Sequence, residues 1–443
     1  MLAQVLAKVN SSGKYNYFIV SRSANLQYCV YLMSPARLDV VIFGASGYTG
    51  RFVIKELVRI SRHQRWLRWG VAGRSQVKLD IAVQSACSPD ERKFVRVITA
   101  DADDESSLRL MCAATKVVIN CCGPYYQCGE AVVRAAIDTT THYLDVCSEP
   151  TFLELVWVKY EVAARKAGVL VINACGLGCV PVDLGVLYLE QCFNGTLNSV
   201  EAYLVSQPSG ETYKRWPANV LKYSTYEAAI YEIANGSKTR QSCSLKFEPE
   251  LKPRGLLHKR FNRWCKPYPG ADEAVVNRTQ HYFYKENNKR PVQFKRYHSS
   301  PFFLDSILAL IGSIILWMIC RVFCMSKFLI RHPRLCSLGI VTYGDPDESF
   351  MRQLSFEHTL VGVGWKGEPR GQPTDEIIAR VYTVGDNAPY EGTAVVVVHC
   401  AITILTARDK MPSYGGVFTP GAAFKNTDLI QKLNEDKLKF EII

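Results

Sequence analysis

Three glycines spaced three apart, Gly44, Gly47 and Gly50 in "LDVVIFGASGYTGRFVIKELVRI", are the residues of this chain whose type and spacing point most directly to chemistry. What they offer is bare backbone. A run of uncovered amides can close on a negatively charged group that any Cβ would hold away. Val40 to Phe43 precede them as a short apolar run, as in a parallel strand buried on both faces. Val53, Leu57 and Ile60 follow at helical spacing. Strand, turn and helix start together make an anion site, because unpaired N–H groups and the helix dipole face the same point. The first glycine permits the tight turn, the second admits a diphosphate, and the third lets helix and strand approach. The expected dinucleotide contacts are Gly44, Ser46, Gly47, Tyr48, Thr49 and Gly50. A glycine-rich turn that binds nothing is the plainer alternative, and the flanking strand and helix argue against it.

Later segments supply further candidates. "WLRWGVAGRS" ends at Gly73-Arg74-Ser75, where an acidic residue would ordinarily hold the ribose hydroxyls. Arg74 and Ser75 suit a 2′-phosphate instead, since a guanidinium meets phosphate in a charge-assisted fork, so NADP is expected over NAD. "KFVRVITAD" places Asp101 where the adenine would lie. "KVVINCCGPYYQCGE" places Asn120 and Gly123 beside the nicotinamide. Hydride transfer also needs a group that supplies a proton or polarises the acceptor. Tyr125 and Tyr126 are the nearest catalytic candidates, with His142 and Asp145 a further pair, although a tyrosine after Gly-Pro is often a packing residue. The 16 cysteines form no C-x-x-C pair and no H-E-x-x-H is present, so no metal is expected and the thiols read as reduced and intracellular.

These residues need a scaffold that lines up strand ends. "THYLDVCSEP" and "GVLVINACGLGCVPVDLG" read as fifth and sixth strands with helices between them. The alternation specifies an α/β fold, a Rossmann-type doubly wound parallel sheet over residues 39–185. A chain of 443 residues, 48% hydrophobic and 21% charged, has room for more than this domain. "HTLVGVGWKGE" and "IIARVYTVGD" read as antiparallel strands of a second sheet. "TAVVVVHCAITIL" reads as a helix, although its valine run has strand propensity.

Together "VVIFGASGYTG", "VAGRS", "VINCCGPYYQCGE", "YLDVCSEP", "VPVDLGV" and "GGVFTPGAAF" resemble the saccharopine dehydrogenase-like oxidoreductases, from about residue 38 to the C-terminus. The resemblance implies a nicotinamide cofactor, a second α+β domain (186–390), and a segment 391–443 packing back on the Rossmann domain. It also implies association with membranes or lipid droplets. One bacterial branch resembles trans-acting enoyl reductases for long-chain lipids. This chain has Ser148-Glu149-Pro150 where Gly-Glu-Pro is usual, and Gly176-Leu177-Gly178-Cys179-Val180-Pro181 where Gly-Phe-Asp-Ser-Ile-Pro is usual. The acid and hydroxyl usual at 178 and 179 are therefore absent, close to where a substrate would approach.

From Lys238 to Arg296 the chain carries fifteen Lys/Arg against five Asp/Glu, most of its net +12. "FFLDSILALIGSIILWMICRVFCM" follows, with a charge-free core from Ser306 to Cys320. At ~1.5 Å per residue that core falls short of the ~30 Å hydrocarbon layer. The reading is an apolar membrane-associating helix over 303–323 lying in one leaflet, its basic neighbour 238–296 facing anionic headgroups. A buried helix of the second domain is the alternative. Residues 1–38 read as a disordered or transit-like extension, so a mitochondrial location stands beside a lipid-droplet or membrane surface. Basic charge without a recognised module gives no nucleic-acid partner. The expected function is an NAD(P)-dependent oxidoreductase acting at that surface on a lipid-like carbonyl or enoyl substrate, with homo-oligomerisation left open. A nucleotide-binding lipid-droplet scaffold or sensor without turnover is the alternative. A saccharopine-type reductase of a soluble amino acid would need arginines for two or more carboxylates.

Overall fold

Apolar runs and helical stripes alternate along the first part of the chain, and the parallel sheet follows from them. In the computed structural model, which describes residues 4–9, 15–20, 37–205, 218–236, 247–268, 270–322, 324–385 and 387–443, β1 (Leu38–Phe43) is buried along its whole length. It leads into α1 (Tyr48–Ser61) and β2 (Trp69–Gly73). Then come α2 (Gln76–Ala86), β3 (Arg96–Thr99), α3 (Glu105–Ala113) and β4 (Thr115–Asn120). The series closes with α4 (Tyr125–Asp138), β5 (His142–Asp145), α5 (Pro150–Ala167) and β6 (Leu170–Ile172). The strands are parallel in the order β6-β5-β4-β1-β2-β3. Strand order reverses at β1, so a crevice opens at the carboxyl ends of β1 and β4, where ligands of this architecture sit.

Helix α6 (Val180–Cys192) carries the chain to a second sheet. Its parts are β7 (Thr196–Val205), α7 (Tyr223–Asn235), β8 (His258–Arg260) and β9 (Arg263–Pro267). They continue with α8 (Ala271–Asn287), β10 (Gln293–Ser300), α9 (Phe303–Arg321), β11 (Glu357–Trp365) and β12 (Asp375–Thr383). Next come α10 (Thr393–Thr406), β13 (Gly416–Phe418), α11 (Leu429–Glu435) and β14 (Leu438–Ile442). The second sheet has the order β8-β9-β10-β7-β11-β12-β14. The chain's end serves both sheets, because β13 joins the parallel one beside β6 while β14 pairs with β12. Val395 to Val398 lie in α10, at most 1% exposed, and burial in the shared core overrides their strand propensity. His399 of α10 meets Asp436 at 2.9 Å, and Arg59 of α1 bridges Glu56 and Asp436. A cation thus already stands between the two carboxylates of this acidic-histidine cluster.

Residues Leu38–Ile443 form one compact unit and Met1–Arg37 another, in which strands Gln4–Val9 and Tyr15–Val20 pair antiparallel. Apart from those strands and Arg37, the disordered or transit-like reading of residues 1–38 falls outside the described residues, up to β1.

Two apolar helices have opposite fates. The α10 region is 67% buried, whereas α9 is 11% buried, with only Ser306 and Cys320 enclosed. Leu316 and Ile319 pack beside Tyr226 and Ile230 of α7, Phe303 meets the Trp264 ring at 4.9 Å, and Leu308, Ile311, Ile314, Ile315, Trp317 and Met318 are exposed. A crossing is excluded by connectivity: α9 leaves β10 and the chain returns in β11, and both strands flank β7 in one sheet.

Part of the basic stretch is paired within the fold. Six of its cations, Arg254, Arg260, Arg278, Lys289, Lys295 and Arg296, pair with carboxylates of the same compact unit. Four of those acids, Glu201, Glu376, Glu154 and Glu190, lie outside the window in which the charges were counted. Six of the fifteen cations are thus matched by carboxylates that the fold, and not the local sequence, brings to them.

Candidate functional site

The helix α1 begins without a side-chain cap and without an acid in its first turn. Its leading N–H groups have no partner within the helix, and the macrodipole adds positive potential there. Gly44 has φ +78°, and a Cβ on it would lie 2.9 Å from the Cys121 carbonyl carbon and the Cys122 nitrogen. A Cβ on Gly50 would meet the Gly44 carbonyl oxygen and lie 2.7 Å from Ala45 Cα. Only hydrogen fits at either position. The turn is pinned from below, where Gly44 N donates to Ala72 O at 2.9 Å and Gly47 N to Gly44 O at 3.0 Å.

The neighbouring strand ends converge on this edge. Ser46 Oγ would lie 4.0 Å from a Cβ on Gly73, which places the turn beside Arg74 and Ser75. Arg74 is exposed, and Ser75 caps α2 by accepting from Lys78 N at 3.4 Å. Asp101 follows β3, its carboxylate accepting from Asp103 N at 3.3 Å. The Cys122 thiol, hydrogen-bonded by Cys128 (Sγ–Sγ 3.8 Å) and attracted by Arg74, is held below the usual thiol range. Gly123 is exposed at the end of β4, and Thr49 is half-buried in the first turn of α1. The structure thus brings Gly44, Ser46, Gly47, Thr49, Gly50, Arg74, Ser75, Asp101 and Gly123 to one edge of one sheet.

Other expected residues are engaged elsewhere. The Tyr48 ring meets Tyr390 edge-on at 4.5 Å. Asn120 is fully buried: its Nδ2 donates to the Tyr143 hydroxyl at 3.1 Å and its Oδ1 accepts from Cys122 N at 2.9 Å. The buried Tyr125 hydroxyl donates to Asn120 O at 2.8 Å, and burial pushes it well above the ordinary range. Tyr126 stacks on Tyr231 at 3.7 Å, and burial pushes its hydroxyl up to about 12. His142 and Asp145 stand at opposite ends of β5 and are not brought together.

Glu149 is the residue that spacing did not mark. It accepts from Tyr125 N at 2.8 Å and Tyr126 N at 2.9 Å, filling the N-terminus of α4 while that of α1 stays open. Burial outweighs those donors and raises its carboxyl to about 7. An acid directly before a helix-starting Pro150 was the available signal. Behind the edge, Asp145 accepts from Ala174 N at 2.7 Å and Asn173 Nδ2 at 2.6 Å, and burial raises it to about 6.

Asp183 ties α6 to the returning chain, accepting from Gly421 N at 2.6 Å, and burial raises it to about 7. Its folded pKa lies above its unfolded value, so the folded state binds its proton more tightly. That contribution is full below about pH 4 and is lost as pH rises through about 7. Wild type should therefore gain on the order of 2 kcal/mol from this group between about pH 7.5 and about pH 5.5. Asp183→Asn should lack that increment, as denaturant titrations at the two pH values would read. An unchanged increment would show that Asp183 does not titrate in this range.

Residues 40–172, the strands and helices just described, match the family model for the saccharopine dehydrogenase NADP-binding domain. A Rattus norvegicus saccharopine dehydrogenase-like oxidoreductase is 33% identical over 429 residues, covering 91% of this chain and 97% of that protein. The chain belongs to the saccharopine dehydrogenase-like oxidoreductase family. Another relative, named a lipid droplet localized protein in Caenorhabditis elegans, is 33% identical over 436 residues, covering 92% of this chain and 98% of its own length. Among solved structures, the saccharopine dehydrogenase (L-Glu forming) of Saccharomyces cerevisiae has the same fold, with TM-score 0.52 at 14% identity over 91% of this chain and 99% of that one. The family's dinucleotide-binding domain is thus the parallel sheet, and the glycine turn, uncapped helix and exposed Arg74 fit a nicotinamide dinucleotide.

Proposed function

We propose that this protein is an NADP-dependent oxidoreductase that works at a lipid-droplet or membrane surface on a lipid-like carbonyl or enoyl substrate. The single observation that carries the reading is α9, an apolar helix 11% buried, rooted in the same compact unit as the dinucleotide edge. A soluble enzyme would have no use for so large an exposed apolar face. The C. elegans relative's name, a lipid droplet localized protein, supports the location.

Residues here would bind and orient. Gly47 would let the diphosphate approach and the amides of Tyr48 to Gly50 would hold it, Arg74 and Ser75 the 2′-phosphate, and Asp101 the adenine side. Asn120 and Gly123 would fix the backbone beside the nicotinamide, which supplies a hydride when bound. Tyr125 and Tyr126 remain the proton-donor candidates, and Tyr125 would first have to release Asn120 O.

NADPH consumption with vesicle-borne fatty aldehydes and enoyl esters tests the reaction. Tight NADPH binding without substrate-dependent oxidation would favour the scaffold reading. For the cofactor, Arg74→Glu should weaken NADPH by ~10- to 100-fold, the worth of a charge-assisted hydrogen-bond pair, and leave NADH within a few-fold. An unchanged NADPH-to-NADH ratio would remove Arg74 from the site.

A further inference from the structure

Two thiols meet at the cofactor edge, and no role given above uses them. Cys122 is the second residue past β4, and its main-chain nitrogen is one of the atoms that a Cβ on Gly44 would meet at 2.9 Å, so it lies against the glycine turn. Cys128 sits in the first turn of α4, where its N–H donates to Pro124 O at 3.3 Å. Side chains of a helix lean toward its N-terminus, which brings the Cys128 thiol back over the preceding loop. Its Sγ lies 3.3 Å from Cys122 O, 3.1 Å from Pro124 O and 3.8 Å from Cys122 Sγ.

Neither cysteine is sealed: both are half-buried, and Gly123 between them is exposed. Cys175 and Cys400 are also neighbours, but both are 0% exposed. Cys121 turns away, packing with the cluster of Val40 and Ile42, whereas Cys122 packs with that of Val41 and Phe43 on the opposite face of β1. Burial keeps the Cys121 thiol protonated. The hydrogen bond from Cys128 favours the Cys122 thiolate, burial opposes it, Arg74 favours it, and Asp101 and Asp103 oppose it; the balance lies below the usual thiol range. Cys128 is held above that range by the same hydrogen bond, by burial, and by the charges of Cys122 and Glu149. One sulfur is thus set to attack while its neighbour keeps a proton, as in a nucleophilic and a resolving thiol.

We propose that Cys122 and Cys128 are a modification site, oxidised to a disulfide by a hydroperoxide when the crevice is empty and shielded when a dinucleotide fills it; the shielding rests on the cofactor reading. With hydrogen peroxide, the Cys122 thiolate attacks one oxygen, the O–O bond breaks, and the departing hydroxide takes up a proton as water. Cys122 is then a sulfenic acid. The Cys128 sulfur attacks it, the S–S bond forms, the S–O bond breaks, and the Cys128 proton leaves with the hydroxyl as a second water. The two thiols give up two electrons and two protons, and the peroxide takes them. Closing from 3.8 Å to the about 2.0 Å of a disulfide moves each sulfur by roughly 1 Å. A dinucleotide laid on the glycine turn would cover Cys122, and its 2′-phosphate would draw Arg74 away from the thiolate.

The test treats the reduced full chain, in nonionic detergent at neutral pH, with hydrogen peroxide, then blocks remaining thiols with iodoacetamide. Mass spectrometry follows the tryptic peptide Val117–Arg134, which carries Cys121, Cys122 and Cys128. In wild type it should lose two hydrogens and take one alkyl group instead of three, and dithiothreitol should reverse this. Cys121→Ser should still link, whereas Cys122→Ser and Cys128→Ser should not. NADP+ at ~100 times its Kd leaves about 1% of sites open, so it should slow the linking by ~10-fold or more. No linked peptide in folded wild type at peroxide doses that oxidise the exposed Cys192 and Cys324, or a linkage that survives Cys122→Ser, would overturn the site. Linking that proceeds unslowed under NADP+ shown to be bound by a melting shift would overturn the shielding. Wild type that links but shows no melting shift with NADP+ would overturn the cofactor reading and leave the dithiol standing.

Discussion

Replacing Ile311, Ile315 and Met318 with aspartate should leave the protein folded and release it from phospholipid vesicles and lipid droplets. These positions repeat at i, i+4 and i+7, so they form one stripe of α9, and each is 46–50% exposed. The helix is anchored along another stripe, through Leu316, Ile319 and Cys320 against α7, which the substitutions do not touch. Burying such side chains in a lipid surface contributes roughly 1.5–3 kcal/mol each, and a charge reverses the sign. Three together should reduce partitioning by ~1000-fold or more, a loss on the order of 4 kcal/mol. Flotation with vesicles reads the result directly. Wild-type protein that ignores vesicles but dissociates from a dimer on substitution would show that α9 meets a second copy instead.

What the chain revealed in advance divides by the range of the interaction concerned. The β1–turn–α1 unit was legible because its signals are local: an apolar run, three glycines and helical spacing within one short stretch. The alternation through β6 was equally plain, and so was the position of Arg74 after β2. Tyr125 shows where local reading stops. Its place after Gly-Pro suggested a donor, but the hydroxyl donates to Asn120 O, a bond set by how α4 folds back over β4. The pairing of Lys289 with Glu190 and of Arg254 with Glu201 depends on helices and strands far apart in sequence, so a count of basic residues could not foresee it.

The glycine turn carries the sharpest consequence. Gly50→Ala should abolish dinucleotide binding, at least ~100-fold, and destabilise the protein by about 1–3 kcal/mol, the usual range for a forced steric overlap. The added methyl would meet the Gly44 carbonyl oxygen and lie 2.8 Å from the Ala45 carbonyl oxygen. Those atoms are main chain, held by the bonds from Gly44 N and Ala45 N to Ala72 O, so they cannot rotate aside as a side chain would. The turn must open or α1 must lift, and either motion displaces the amides that face the diphosphate. Stability and binding can be separated by melting each protein with and without NADPH. A ligand at about 100 times its Kd adds about 2.7 kcal/mol to a protein that binds it and nothing to one that does not. Wild type should gain this increment and Gly50→Ala should not. Gly367→Ala is the matched control, since a Cβ there meets no atom within 4 Å, and it should gain as wild type does. If Gly50→Ala gained the full increment while remaining folded, the amides of this turn would not be what holds the coenzyme, and Arg74 would lose its reason to be read as a phosphate ligand.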